Sequence, residues 1–235
     1  MLFIITIGIT SAILGIISYA SFYYKSQFFG KTIWRANTNN KFIAITFDDG
    51  PNQPWTLKIA ELFEQYHGHA TFFVVGKNCQ RFPGVVKQLK RKGHLIGNHS
   101  YSHAFSKYIV DPMYINEIAK TEQILKEQGI TTKYFRFPWL YRNPWLLKSI
   151  TKQGYKVPIN GQFAHILEPF QINHKHIVKN VLKIAKPGAI IIFHDGYNAK
   201  TANKQQTYLA VKELLSILHK QGYHFVTVQK LIRIL

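Results

Sequence analysis

The chain has little cysteine and little acid. Cys79 is its only cysteine, which excludes an intrachain disulfide framework and any metal site built from several thiolates. It leaves the redox compartment open. Among 235 residues, 30 Lys and Arg face only 11 Asp and Glu, a formal net charge of +19. Four of the acids are aspartates: Asp48, Asp49, Asp111 and Asp195. Two of these adjoin, and Asp49 and Asp195 each precede a glycine. A chain so poor in carboxylates is not spending them on solubility, so their placement carries information. Internal repeats, low-complexity tracts and a collagen-like glycine and proline content are also missing. A hydrophobic share of 46% excludes intrinsic disorder. The length suits one domain with a substantial core.

The positive charge fits three kinds of partner: nucleic acid, an anionic membrane surface, or an acidic envelope glycan. Lysine far outnumbers arginine, and the longest basic run is Lys90-Arg91-Lys92. Readers of nucleic acid concentrate arginine and aromatics in a stripe. The absence of a stripe argues against a nucleic-acid partner.

Residues 2–24 carry no charge, and the first charged side chain is Lys25. That length suits a membrane-spanning helix. The small residue in Ser18-Tyr19-Ala20 also suits a cleaved signal segment, although no Lys or Arg precedes the apolar run. A buried core helix is the third reading. Lys25, Lys31, Arg35 and Lys41 follow the segment and would favour a cytoplasmic side, yet long domains translocate largely regardless of charge. The expected organisation is an anchor or signal segment at 1–24, a polar stalk at 25–40 and one catalytic domain at 41–235.

From Lys41 onward, strand-like and helix-like patterns alternate. Lys41–Phe47, Ala70–Val75, His94–Asn98, Tyr134–Phe137, Tyr155–Asn160, Ala189–Phe193 and His224–Val228 read as extended. Trp55–Tyr66, Gly84–Lys92, Tyr114–Gln128, Pro144–Gln153, His174–Ala185 and Lys204–Lys220 read as helical, and Asp111-Pro112 as a cap before Tyr114. About seven strands separated by helices predict an α/β fold with a parallel sheet, either a barrel or an open doubly wound sheet.

In such folds chemistry gathers at the carboxyl ends of the strands. Four strands end in polar clusters: Asp48-Asp49-Gly50-Pro51, His99-Ser100-Tyr101-Ser102-His103, Arg136-Phe137-Pro138-Trp139 and His194-Asp195-Gly196. Singly, each has a bland reading: a turn, a chance histidine pair among 11 histidines, a surface arginine, a satisfied histidine. Together they supply one hydrolytic metal site. Divalent ions take imidazole nitrogen and carboxylate oxygen and keep a position open for water. His99 and His103, four apart, face one direction if their turn is helical. One aspartate of the pair can bind the ion while its neighbour takes a proton from the water. His67, His69, His165, His174, His176, His219 and His224 have no matching partners, and Cys79 reads as an inert thiol.

These four clusters, in this order, with Ala70-Thr71-Phe72-Phe73-Val74 and Ile192-Phe193-His194, resemble the signature set of the polysaccharide deacetylases of carbohydrate esterase family four, the NodB-homology domain. The resemblance runs from about Lys41 to Leu235. It implies a distorted (β/α) barrel of about seven parallel strands, preceded here by the N-terminal hydrophobic helix. It implies Asp48 as general base and Asp49, His99 and His103 as ligands of a divalent metal, zinc first, with cobalt or another divalent ion as alternatives. It implies His194 as general acid, Arg136 as the partner of Asp48, and Pro138, Trp139 and Ile192 on the substrate side. A backbone N–H near Trp139 would hold the oxyanion, and Ile192 would meet the acetyl methyl.

Three features depart from the family pattern. Leu140 follows Trp139 where glycine is usual. The stretch Val157–Phe163 lacks the aspartate that supports the catalytic histidine, so His194 should have a lowered pKa, unless Glu168 or Asp195 substitutes. The substrate-facing loops are short. The expected activity is deacetylation of N-acetyl amino sugars in an envelope polysaccharide such as peptidoglycan or a chitin-like glycan, by a membrane-attached enzyme whose domain lies outside the cytoplasm against an anionic envelope surface. The alternatives are a deacetylase or deformylase of a polyprenyl-linked amino sugar and a catalytically silent glycan-binding domain.

Overall fold

A computed structural model describes residues 2–109, 114–155, 157–197 and 201–233. In chain order its elements are α1 (Leu2–Phe22), β1 (Phe42–Asp48), α2 (Trp55–Glu64), β2 (Thr71–Val74), α3 (Gly76–Arg81), α4 (Val85–Arg91) and β3 (Leu95–Asn98). Then come α5 (Ser106–Ile109), α6 (Tyr114–Glu127), a 3-10 turn at Pro138–Leu140, α7 (Pro144–Lys152), β4 (Gln162–Phe163) and a second 3-10 turn at Glu168–Phe170. The series closes with α8 (His174–Ile184), β5 (Ile190–His194), α9 (Gln205–Lys220), β6 (His224–Phe225) and α10 (Val228–Ile232). The cap expected at Asp111-Pro112 lies outside the described residues.

The strands pair in parallel in the order β3-β2-β1-β5-β4, with β6 also on β1. β1 is central and buried along almost its whole length, which is why its sequence is apolar on both faces. The register puts Asp48 beside His194 and Val74 beside Asn98, so the polar strand ends lie level on one face. Outside the sheet, α9 turns Ala210, Val211, Leu214, Leu215 and Leu218 inward, all fully buried. Their i, i+4 spacing forms one stripe against α2 and α8. Each buried leucine contributes about 1.5–3 kcal/mol.

Among the described residues six strands form rather than seven. Tyr134–Phe137 makes one isolated bridge, Asn98 to Phe135, and Tyr155–Asn160 makes one, Ile159 to Ile33. Both segments sit at strand positions: Asn98 N donates to Tyr134 O, and Ile159 N donates to Phe135 O. A continuous ladder stops because Pro138 follows the first segment and Pro158 lies within the second, and neither has an N–H to donate. His224–Val228 is likewise cut short: β6 ends at Phe225, and Thr227 caps α10 by accepting from Lys230 N.

Residues 25–40, read as a polar stalk, lie against the barrel. Ile33 N donates to Pro158 O, Asn160 N to Ile33 O and Ala36 N to Gly188 O, and Ala36 is fully buried. The segment fills the wall between Ile159 and Ala189 that the missing strands would have occupied. Arg142 ties α1 to the same body. It is fully buried. Its backbone N donates to Ser21 O, and its guanidinium donates to Ser21 O, Tyr23 O and Ser26 O at 3.3, 2.5 and 2.9 Å. Those carbonyls belong to the last turn of α1 and the segment just after it, where helix carbonyls run out of helical N–H partners.

Candidate active site

Asp49 has φ +70°, a left-handed turn that leaves the carboxylates of both Asp48 and Asp49 within 4 Å of His99 Nε2, at 3.9 and 3.6 Å. Two glycines make room for it. A Cβ on Gly50 would overlap the Asp195 carboxylate, and one on Gly196 would overlap the Asp49 carbonyl. The turns after β1 and β5 therefore pack backbone to backbone, with Asp195 N donating to Asp48 O at 3.2 Å and Asn78 Nδ2 to Asp49 O at 2.7 Å.

The histidine pair comes from the loop after β3. No helical turn brings it together. Ser100 and His103 have φ +67° and +53° and rewind the loop until the two rings lie 5.2 Å apart. Buried Glu117 on α6 holds this loop, accepting from the Ser102 N–H and hydroxyl at 2.7 Å each and from Lys107 Nζ at 2.9 Å. His99 Nε2 lies 3.6 Å and His103 Nε2 3.2 Å from Asp49 Oδ1.

This set fits a divalent cation. Asp49 Oδ1 is buried and accepts no hydrogen bond, a costly state for a carboxylate oxygen, and a ligand atom from each of Asp49, His99 and His103 lies within 4.8 Å of the others. His99 Nδ1 lies 2.8 Å from the Arg136 carbonyl. A carbonyl only accepts, so the proton sits on Nδ1 and the Nε2 lone pair faces the carboxylates. Burial, with the charge of His103, pushes the His99 imidazole down to about 3, which keeps it neutral, the ligating form.

Asp48 Oδ2 lies 3.9 Å from His99 Nε2, while its Oδ1 accepts from Arg136 Nη1 at 2.7 Å. Arg136 is wholly buried. Its remaining bonds go to Thr46 Oγ1 at 2.8 Å, Ile159 O at 3.0 Å and Asn160 O at 3.3 Å, and its guanidinium lies 4.1 Å over the Phe73 ring. Burial lowers its pKa and Asp48 partly restores it.

On the neighbouring strand, His194 Nδ1 lies 2.7 Å from Glu168 Oε2, which leaves Nε2 for the cavity. Burial opposes the imidazolium, but the hydrogen bond and charge of Glu168, with Asp49 and Asp48, outweigh it, and the His194 pKa is raised. The expected lowering is therefore overturned, and Glu168 is the substitute carboxylate. Asp195 is not. Its side chain accepts from Thr56 Oγ1, and burial pushes it up to about 7.

The 3-10 turn that carries Trp139 is also unusual. Trp139 and Leu140 have φ +54° and +58°. Leu140 adopts the left-handed turn that glycine would take, at about 1–2 kcal/mol, while its side chain is buried. Leu140 N and Tyr141 N donate to Phe137 O and Pro138 O. The Trp139 N–H has no partner among the described residues and is the free donor on this wall.

A cavity of about 350 Å³ joins these groups, lined by Asp48, Asp49, His99, His103, His194, Trp139, Leu140, Phe163, Ile166, Pro169, Phe170 and Tyr197. Pro138 and Ile192, placed on the substrate side by resemblance, are buried behind the lining. Phe163, Ile166, Phe170 and Tyr197 were not singled out in the sequence. Their only signal was an apolar stretch, Phe163 to Phe170, with neither strand nor helix period. Cys79 is buried, and its thiol pKa is pushed up by burial.

Carboxylates and imidazoles facing one cavity at the carboxyl ends of parallel strands are the arrangement of a hydrolase. Comparison with known proteins gives the family. The polysaccharide deacetylase family model matches residues 35–158. A peptidoglycan N-acetylglucosamine deacetylase of Bacillus cereus is 36% identical over 204 residues, 87% of this chain and 94% of that protein. The peptidoglycan N-acetylmuramic acid deacetylase PdaC of Bacillus subtilis is 32% identical over 202 residues, covering 82% of this chain and 39% of that protein. A crystal structure of the Bc1960 peptidoglycan N-acetylglucosamine deacetylase superposes with a TM-score of 0.78 at 30% identity, over 86% of this chain and 92% of that one. The chain belongs to the polysaccharide deacetylase family, the NodB-homology domain of carbohydrate esterase family four, and has that family's parallel α/β barrel.

Proposed function

We propose that the protein removes N-acetyl groups from amino sugars of a cell-envelope glycan, with peptidoglycan as the polymer. The observation that carries this reading is the convergence of Asp48, fixed by Arg136, and His194, fixed by Glu168, on one cavity that also holds the Asp49–His99–His103 set. Those three residues would hold a divalent ion, zinc by the preference of imidazole and carboxylate donors. When bound, the ion lowers the pKa of water and polarises the acetyl carbonyl.

The protein's own groups perform the rest. Asp48 takes a proton from water as that water attacks the acetamide carbon. The Trp139 N–H donates to the oxygen that becomes negative. The C–N bond breaks as His194 Nε2 gives its proton to the nitrogen, leaving acetate and a free amine. Glu168 stabilises the imidazolium needed for that transfer. The reading as a silent binding domain rested on a missing carboxylate, and Glu168 fills that role.

Attachment through α1 belongs to the same proposal. Its Ile5–Phe22 stretch is long and apolar enough to cross a membrane, with mean hydropathy 1.7, and Ile7, Ile9, Leu14 and Ile16 are exposed. The catalytic domain would then lie outside the cytoplasm, its +19 charge drawn to an anionic envelope.

The test is acetate release from N-acetylglucosamine oligomers by the full chain with and without added zinc, beside Asp48→Asn and His99→Ala. Zinc-dependent release lost in both variants is the expected outcome. No release from a chain that binds zinc normally would overturn the enzymatic reading.

A further inference from the structure

We infer that the catalytic mouth is held at the membrane–water interface, and that it takes the N-acetylated amino sugars of the envelope glycan while they are still carried on a lipid in the same bilayer, before they join the polymer. This rests on the proposed membrane-spanning role of α1 and on the deacetylase reading of the site.

The first observation is length. α1 has 21 residues, about 32 Å at 1.5 Å per residue, against a hydrocarbon core of about 30 Å. The helix is used up in crossing, and no stalk follows, because residues 25–40 lie in the barrel wall. Whatever holds the end of α1 therefore sits at the headgroups.

The second observation is what holds it. Arg142, buried, donates to Ser21, Tyr23 and Ser26 carbonyls and directly follows the turn that carries Trp139. Rings continue the connection: Phe22 to Tyr141 at 5.1 Å, Tyr141 to Phe105 at 5.8 Å, Phe105 to Trp139 at 5.0 Å, Trp139 to His103 at 4.2 Å. The opposite wall is joined too. Tyr24 Oη donates to Gln162 Oε1 at 3.1 Å, one residue before Phe163, and Asn160 Nδ2 donates to Tyr24 O. Both walls of the mouth thus hang from the end of the span.

The third observation is chemical. Tyr19, Phe22, Tyr23, Phe28 and Trp145 are exposed around the helix end, the residue types that settle at a membrane interface. On the rim, Ile166 is 77% and Phe170 69% exposed, and Leu167 is exposed beside them. None can hydrogen-bond a sugar hydroxyl. A contiguous apolar rim suits a lipid surface, and the basic charge of the chain suits anionic headgroups.

The full chain in anionic liposomes is offered either a soluble N-acetylglucosamine oligomer or an isoprenoid diphosphate-linked N-acetylglucosamine inserted in the same bilayer. The expected result is at least tenfold higher kcat/KM for the lipid-linked sugar. The Phe28→Ser, Trp145→Gln double variant should lower that advantage several-fold and leave oligomer hydrolysis unchanged. Equal rates, or preference for the oligomer, overturn the inference and leave the deacetylase reading standing. Loss of both reactions would instead sink the deacetylase reading. A second measurement decides the placement without activity. Ile166→Cys carries an environment-sensitive fluorophore, since the only other cysteine is buried. Quenching by lipids labelled near the headgroup is expected, and emission untouched by them overturns the placement.

Discussion

His194 and Glu168 form a buried pair with Nδ1 and Oε2 2.7 Å apart. The carboxylate comes from a 3-10 turn, not from the segment where the family usually supplies it. Thr207 on α9 donates to its other oxygen, so the pair is braced from outside the barrel. The general-acid role proposed for His194 needs it protonated, and Glu168, with Asp49 and Asp48, raises its pKa against the effect of burial. Glu168→Gln keeps the volume and removes the charge. The proton should then leave His194 at lower pH, so the basic limb of the kcat/KM profile moves down in pH while the acidic limb stays. Activity at neutral pH should fall about 10²-fold. An unmoved basic limb would show that Glu168 only fills space.

Arg136 carries the second prediction. Its guanidinium makes four hydrogen bonds in full burial, one of them to Asp48. Arg136→Leu leaves Asp48 charged, buried and without that partner. Breaking such a pair costs about 3–5 kcal/mol, read as a lower urea midpoint at unchanged m-value. Arg136→Lys keeps the charge but cannot reproduce a planar fork to three oxygens and a carboxylate. It should recover part of the stability and little of the activity.

The strand ends were legible because the chemistry is written next to the core. Asp48 and His194 each close a continuous apolar run, and a parallel sheet brings such ends to one face. What lay hidden depends on contacts distant in the chain. Glu168 was one of two candidate carboxylates, and only the fold places it on His194 while turning Asp195 toward Thr56. Arg142 sits between Tyr141 and Asn143 and reads as an ordinary surface arginine, yet it is buried against carbonyls more than a hundred residues earlier. The histidine loop misled for a local reason. Spacing of four suits a helix, but left-handed Ser100 and His103 produce the same convergence without one.

The interlocked turns give a third prediction. Gly196→Ala places a methyl against the carbonyl of Asp49, so the ligand-bearing turn must shift while β1 and β5 stay paired. Zinc affinity, measured by calorimetric titration, should fall about 10–100-fold, with the far-ultraviolet circular dichroism spectrum retained. Unchanged affinity would mean that the turn yields without moving Asp49.

The last prediction concerns stability away from the site. His94 is buried between Phe63 and Phe72, and its Nδ1 accepts from Ala70 N at 3.0 Å. Burial, with the neighbouring His69, pushes its pKa down to about 4 from 6.5. Between those values the unfolded chain binds a proton that the folded chain refuses. Stability from this group is thus fully present above pH 6.5 and is lost as pH falls through 4. The loss is roughly 3 kcal/mol over that window. His94→Asn retains an acceptor for the Ala70 N–H and cannot charge. Its urea midpoint should be lower than wild type at pH 7.5, because volume is lost from a packed site, but should fall less between pH 7 and pH 4.5. Parallel declines in the two proteins would assign the acid sensitivity to another group.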